Sequence, residues 1–315
     1  MNYLLLSDNA ARQYMDSVTI FSEHARTAER ARQYKGGMYW KVEGKYEYLV
    51  KTTPDNRQQR IGRRSAETEK IHADFTTCKH QVEERLKSLN DALQEAERLN
   101  KALKVGRTPA TVVSVLQALH ESRVHDYFTV VGTHALYAYE AAASVRIQQG
   151  ALATMDVDLL WDARKRMQFL TTMARTQTSM LAVLQRADKT FQRKESQLET
   201  AINDKGFEVD FLRRQPIQQD PHPFRFTDDE EDLWPLQAER AGVLTDSPRF
   251  EQVVVSVTGK MAMMRTIAPE SFVQFKLWMA EQAKHRDPAK RRRDVLQARI
   301  VQELLSEALL PPSAP

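Results

Sequence analysis

A single cysteine, Cys78, stands among 315 residues, which excludes an internal disulfide and any zinc or iron-sulfur site built from several thiolates, and fits a cytoplasmic chain. Cys78 itself reads as a small, half-buried side chain without chemistry. Nowhere do eighteen apolar residues run together, and even ALATMDVDLLW is broken by two aspartates, so no membrane span is expected. The opening MNYLLLSDNAARQYM has a short apolar run but neither a basic start nor a small-residue cleavage site, so no secretion signal is expected. A strong charge of one sign is lacking as well: 46 Lys plus Arg against 42 Asp plus Glu leaves +4, which permits a nucleotide or nucleic-acid partner without requiring one. Glycine is scarce at ten residues, yet the 42% hydrophobic share is that of a folded chain. A chain of this length should form two or three units around at least one substantial core.

What is present divides along the chain. Residues 34–62 carry a Gly-Gly pair, alternating aromatic and β-branched positions and a Pro-Asp-Asn turn, and predict two or three short strands with a hairpin at Glu43-Gly44-Lys45. This basic, tyrosine-rich hairpin could stack rings on bases or simply pack as a sheet. Val82, Leu86, Leu89, Leu93, Ala96, Asn100 and Leu103 recur at steps of four and three, predicting a long helix in a helical hairpin or docked on the main domain, rather than a free coiled coil. Gly106 to Pro109 end it, and Ala110–His120 predicts a short packed helix. Beyond, strands are expected at 127–131, 154–161, 206–212 and 253–257. Helix is expected at 134–144, over most of 163–200, and in a tail opened by Pro269 and resumed at Pro288. The acid run Asp228–Asp232 in the proline-bearing stretch 213–251 reads as a solvated loop, and the final PPSAP as a frayed end.

The residues with chemistry to offer are Gly132-Thr133, Asp156-Val157-Asp158 and Asp210. Side chains two apart on a strand share a face, so Asp156 and Asp158 can project side by side. Two uncompensated like charges are unfavourable, and a divalent cation is the ordinary remedy. If the strand bearing Asp210 neighbours the first, three carboxylates converge on an oxygen-lined site of the kind magnesium prefers, and two magnesium ions are the usual requirement of nucleotidyl transfer. A glycine at a strand-to-helix turn lets backbone N–H groups approach phosphate, and the threonine hydroxyl can donate to it. Each signal also has an ordinary reading: an Asp-x-Asp often caps a turn or stays solvated, and Gly-Thr pairs are common. His134 could meet phosphate or bond locally, Glu208 could assist the metal or remain solvated, and Trp161, Tyr137 and Tyr139 read as packing residues. Lys290 and Arg293 could face nucleotide or solvent, with Lys290 able to pair Asp294 at i,i+4.

The segment VVGTHALYAYEAAASVRIQQGALATMDVDLLWD, Val130 to Asp162, resembles the signature of the polymerase-beta-like nucleotidyltransferase superfamily. Together with KGGMYWKVEGKYEYL, IGRRSAET and SFVQFKLWMAEQAKHRDPAKRRRDV, it is similar to a family of bacterial nucleotidyltransferase-fold proteins, over about Tyr34 to Leu305. The resemblance implies an α/β fold: a mixed-sheet nucleotidyltransferase-like core at 106–262, preceded by an N-terminal strand-and-helix module at 1–105 and followed by a C-terminal helical segment at 263–315. It implies that Asp156 and Asp158 are paired metal carboxylates and that Asp210 is the third. Gly132 and Thr133 would form the phosphate turn, with Lys276 touching the triphosphate. The gap between Gly132 and Asp156 is longer than in the minimal superfamily pattern, and Thr133 stands where Gly or Ser is usual. The implied activity is magnesium-dependent transfer of a nucleoside monophosphate from an NTP such as ATP to RNA, a protein hydroxyl or a small molecule. Related proteins often serve beside a toxin-antitoxin or defence partner. The rival readings are a catalytically idle member of the fold and a nucleic-acid binding module.

Overall fold

The computed structural model describes residues 2–54, 56–217, 225–283 and 286–311. The chain forms two compact units, Arg12–Asn100 and the combination of Met1–Ala11 with Lys101–Pro315. The strand β1 (Tyr3–Leu5) leads into the helix α1 (Asp8–Gln33). A three-stranded antiparallel sheet follows, β2 (Gly37–Glu43), β3 (Tyr46–Thr52) and β4 (Gln58–Arg63), and then the 37-residue helix α2 (Ala66–Ala102).

In the Arg12–Asn100 unit, Glu43 pairs with Tyr46, so the hairpin turn is Gly44-Lys45, with Gly44 supplying the left-handed φ of 62°. The Arg63 and Arg60 guanidinium groups lie 3.4 and 4.1 Å from the Tyr46 and Tyr48 ring centroids, so these rings are already faced by cations of their own sheet. Val82, Leu89, Ala96 and Asn100 form the buried stripe of α2. The Ser17 hydroxyl donates to Asn100 Oδ1 at 2.7 Å, His24 meets Asn90 at 2.8 Å, and the Tyr34 and Phe75 rings are 5.5 Å apart. Positions rising along α1 thus meet positions falling along α2. The heptad stripe serves an intrachain helical hairpin, whose first arm, α1, was not among the expected helices.

The second unit continues with α3 (Ala110–Glu121), β5 (Phe128–Val131), α4 (Ala135–Ala142), β6 (Val145–Ile147), α5 (Gln149–Leu152) and β7 (Asp156–Trp161). It then runs through α6 (Arg166–Thr176), α7 (Met180–Ala187), β8 (Gln192–Lys194), β9 (Gln197–Ile202), β10 (Glu208–Arg213), β11 (Leu236–Gln237) and α8 (Ala241–Asp246). It closes with β12 (Arg249–Val255), β13 (Met261–Ile267), α9 (Pro269–Glu281) and α10 (Pro288–Ser306). The central mixed sheet has the order β12-β13-β5-β7-β10-β9-β8, with β11 on β10. β7 lies between antiparallel β5 and parallel β10. One face of β7 and β10 buries Val157, Leu159, Val209 and Phe211. Trp161, on that same face, packs on Phe169 and Phe226 at centroid distances of 5.6 and 5.4 Å. The opposite face carries the aspartates. The long gap between Gly132 and Asp156 holds α4, β6 and α5, and β6 pairs with β1 near the N-terminus.

Three expectations are corrected. Residues 192–202 form the β8–β9 hairpin instead of helix, because β9 pairs with β10, and polar Gln, Glu and Lys follow the sheet when tertiary pairing supplies their hydrogen bonds. Met261–Ile267 forms a strand that pairs in full register with β12 and lies parallel to β5, so residue 262 falls inside a hairpin arm. The acid run is not wholly solvated: Asp232 is fully buried and accepts N–H bonds from Met180 and Leu181 at 3.1 and 3.0 Å, capping α7. Asp55 of the Pro-Asp-Asn turn, Pro221, Pro223, His285 and residues 312–315 of the PPSAP end lie outside the described residues. Among the described residues no helix is long and apolar enough to cross a membrane.

Leu89, on the buried stripe of α2, gives a direct test of the hairpin. Leu89→Ala should lower stability by about 2–5 kcal/mol through lost burial and a residual cavity. The thermal midpoint of either form should not depend on protein concentration; a midpoint rising steeply with concentration would mean that the stripe joins two chains.

Candidate active site

The register of β7 and β10 sets Asp210 directly beside Asp158, and Glu208 beside Asp156. Carboxylate oxygens of Asp156, Asp158 and Asp210 lie within 4.8 Å of one another, and among the described residues this is the single such group of acid, histidine or cysteine side chains. All three are half-buried. The Thr154 hydroxyl donates to Asp156 Oδ1, and the Thr200 hydroxyl donates to Asp210 Oδ1 at 2.5 Å, so threonines fix the two outer carboxylates and leave their second oxygens available. Three hard oxygen donors at this spacing fit a divalent cation of the magnesium class.

The central carboxylate bears the electrostatic cost. Burial pushes the Asp158 carboxyl up from 3.8 to about 7, the charges of Asp156 and Asp210 add to the shift, and Lys276 and Arg286 oppose it. Burial also raises Asp210, against the stabilising Thr200 bond and with Asp156, Glu208 and Glu199 as negative neighbours. Glu208 is itself paired with Lys194 at 2.7 Å, which sets it apart from the trio.

Val131 pairs with Asp158 across β5 and β7, so the chain leaving β5 turns directly over that carboxylate. Gly132 makes the turn at a φ of 70°, and a Cβ there would fall well inside van der Waals contact with Asp158 Oδ2; both facts favour glycine. Thr133 follows in a single 3-10 turn that runs into α4. His134 is buried beside Tyr137 and Phe207, with the Asp156 backbone near its ring. Burial pushes it down to about 4 against the pull of Asp156, so it is a neutral packing residue at pH 7.

A cavity of about 470 Å³ opens over this floor. Gly132, Thr133, Asp156 and Asp158 line one side, while α9, the segment before α10 and the first turns of α10 bring Lys276, Arg286, Lys290 and Arg293. Leu160, Leu212, Phe275 and Trp278 add an apolar part. Lys276 is buried and held by Asp294 at 2.9 Å, and Arg286 reaches the same carboxylate at 2.8 Å. Asp294 is fully buried. The Lys290–Asp294 pair expected from helical spacing is therefore replaced: Asp294 faces α9, and Lys290 is exposed. Arg293 donates to the Ala153 carbonyl at 2.6 Å, just before β7. Asp287 caps α10 ahead of Pro288, leaving Arg286 outside the helix as expected.

A family model described as Nucleotidyltransferase matches residues 110–314. The chain belongs to the nucleotidyltransferase family. Its mixed sheet is a nucleotidyltransferase-like α/β fold, and the match begins at α3, beyond the Arg12–Asn100 unit. No curated protein and no solved structure matches the chain. The supporting side chains Thr154, Thr200 and Gln297 were not anticipated from the sequence, and Asp294 was expected beside Lys290 instead of Lys276. Only Thr154, two residues before Asp156, stood close enough in sequence to be suspected.

The Asp158 shift has a sign that can be measured. Its native value lies above the unfolded one, so the folded chain keeps a proton that the unfolded chain releases, and stability drains away as pH rises from about 4 through about 7. In metal-free buffer the thermal midpoint of Asp158→Asn relative to wild type should therefore climb across that window, because Asn has no charge to bury. A difference that stays flat with pH contradicts the shift.

Proposed function

We propose that this protein is a magnesium-dependent nucleotidyltransferase that moves a nucleoside monophosphate from an NTP such as ATP to an acceptor, with release of pyrophosphate. The observation that carries the reading is one cavity lined by Asp156 and Asp158, with Asp210 adjoining, and by four cationic side chains opposite. That distribution of charge suits a metal-bound triphosphate, with carboxylates for the cation and ammonium and guanidinium groups for phosphate oxygens.

In the transfer, an acceptor oxygen bonds to the α-phosphorus, the bridging α–β P–O bond breaks, and its electron pair leaves with pyrophosphate. Bound magnesium would neutralise the triphosphate and ease deprotonation of the acceptor hydroxyl. Asp156, Asp158 and Asp210 would hold it, two ions being the number the chemistry favours. Asp210 is the group proposed to orient the acceptor hydroxyl and take its proton. Its Oδ1 is engaged by Thr200, and burial raises its carboxyl above the usual carboxylate value. The Gly132 turn and the Thr133 hydroxyl would hold phosphate oxygens. Lys276 gives one of its three N–H donors to Asp294 and retains two for charge that grows as pyrophosphate departs. Lys290, exposed at the cavity, would meet the outer phosphates.

Incubation of each α-labelled NTP with magnesium and a cell lysate, followed by separation of RNA, protein and small molecules, names the acceptor by the fraction that takes the label. Asp156→Asn, Asp158→Asn and Asp210→Asn should each abolish labelling. Lys276→Met should slow it by about tenfold or more, or about 1.4 kcal/mol. Undiminished labelling by all three asparagine variants contradicts the reading.

A further inference from the structure

We propose that Gln297 is a positioning residue of the nucleotide site, holding the Thr133 hydroxyl with its O–H free for a phosphate oxygen; this rests on the nucleotidyltransferase reading above. Gln297 lies on α10, is fully buried, and stands behind the cavity instead of lining it. Its Nε2 donates to the Ala151 carbonyl at 2.6 Å and to Thr133 Oγ1 at 3.2 Å.

The amide's orientation follows from its partners. The Ala151 carbonyl can only accept, so the atom facing it must be the nitrogen; a flipped amide would set oxygen against oxygen. The same NH2 group has two hydrogens, one for each neighbour. Thr133 Oγ1 is thereby an acceptor, and its own hydrogen has no partner among the described residues. Thr133 lines the cavity next to Gly132, over the metal-site carboxylates. A hydroxyl whose lone pair is taken from behind and whose hydrogen is unclaimed in front is set to donate, and phosphate oxygens only accept.

The arrangement carries a cost that calls for a task. Gln297 Oε1 is buried without a partner among the described residues. An apolar side chain of similar size would fill the space without that penalty. One helical turn earlier, Arg293 donates to the Ala153 carbonyl, so α10 grips the segment leading into Asp156 twice and the phosphate turn once.

The test is a double-mutant cycle on equilibrium binding of a magnesium complex of α,β-methylene ATP, with thermal midpoints checking the fold. In Gln297→Glu an ionised carboxylate can only accept, and a protonated one spends its single O–H on the Ala151 carbonyl, so either form captures the Thr133 proton and turns the O–H away from the ligand. The dissociation constant should rise by about tenfold or more. Gln297→Met keeps the size and lacks both donors and charge, so it should fold where a buried glutamate does not; the rise should be smaller, about threefold. In a Thr133→Val background neither substitution should weaken binding further, because the hydroxyl through which both act is gone. A purely structural role predicts equal losses with and without that hydroxyl, and this result, or unchanged binding by both Gln297 variants, overturns the inference alone. Absence of binding by the wild type overturns the nucleotide reading and the inference with it.

Discussion

Everything at the site depends on the parallel register of β7 and β10. Asp210 sits directly beside Asp158 because of it, and a slip of one residue would turn Asp210 to the face where Val209 and Phe211 are buried. The antiparallel partner on the other side adds the second constraint. Val131 opposite Asp158 delivers Gly132 onto the carboxylate, along a path that a Cβ would strain. Two ladders around one strand thus bring the metal-class carboxylates and the glycine turn together.

Concentrating three carboxylates on a half-buried surface is unfavourable by itself, as the elevated Asp158 carboxyl records. The opposing charge is fixed in place by Asp294, which takes Lys276 from α9 and Arg286 from the segment before α10. Removing that one carboxylate would leave the buried Lys276 ammonium without its partner, the circumstance in which a buried ion pair is costly to break. The helices consequently wall the cavity with cations that face the aspartates and are set by the helices' contact with one another.

Much of the site was legible from local pattern. The alternation of Asp156 and Asp158 with Val157 and Leu159, and of Asp210 with Val209 and Phe211, is the signature of strands buried on one face, and the structure has both strands. Elements whose identity depends on distant partners were harder to see. The β9 strand, QLETAI, is rich in helix-compatible residues and is a strand because β10 offers an edge. α1 buries Ala10, Tyr14 and Ser17, a seam without a run of large aliphatic side chains, so it lacks the heptad of leucines that marks α2. Thr200, Asp294 and Gln297 hydrogen-bond Asp210, Lys276 and Thr133 across 10, 18 and 164 residues of sequence. No spacing rule reaches that far, and the Lys290–Asp294 expectation failed for this reason: helical proximity was outweighed by a partner on another helix.

The central claim is that Asp156, Asp158 and Asp210 act as one divalent-cation site facing a triphosphate. Its most direct measurement is anomalous diffraction from crystals grown with manganese and a non-hydrolysable nucleoside triphosphate. The account predicts an anomalous peak bonded to oxygens of all three aspartates, with triphosphate oxygens completing the shell and the phosphate chain running between Gly132 and Lys276. Manganese bound elsewhere, or a triphosphate seated away from the three carboxylates, would contradict it.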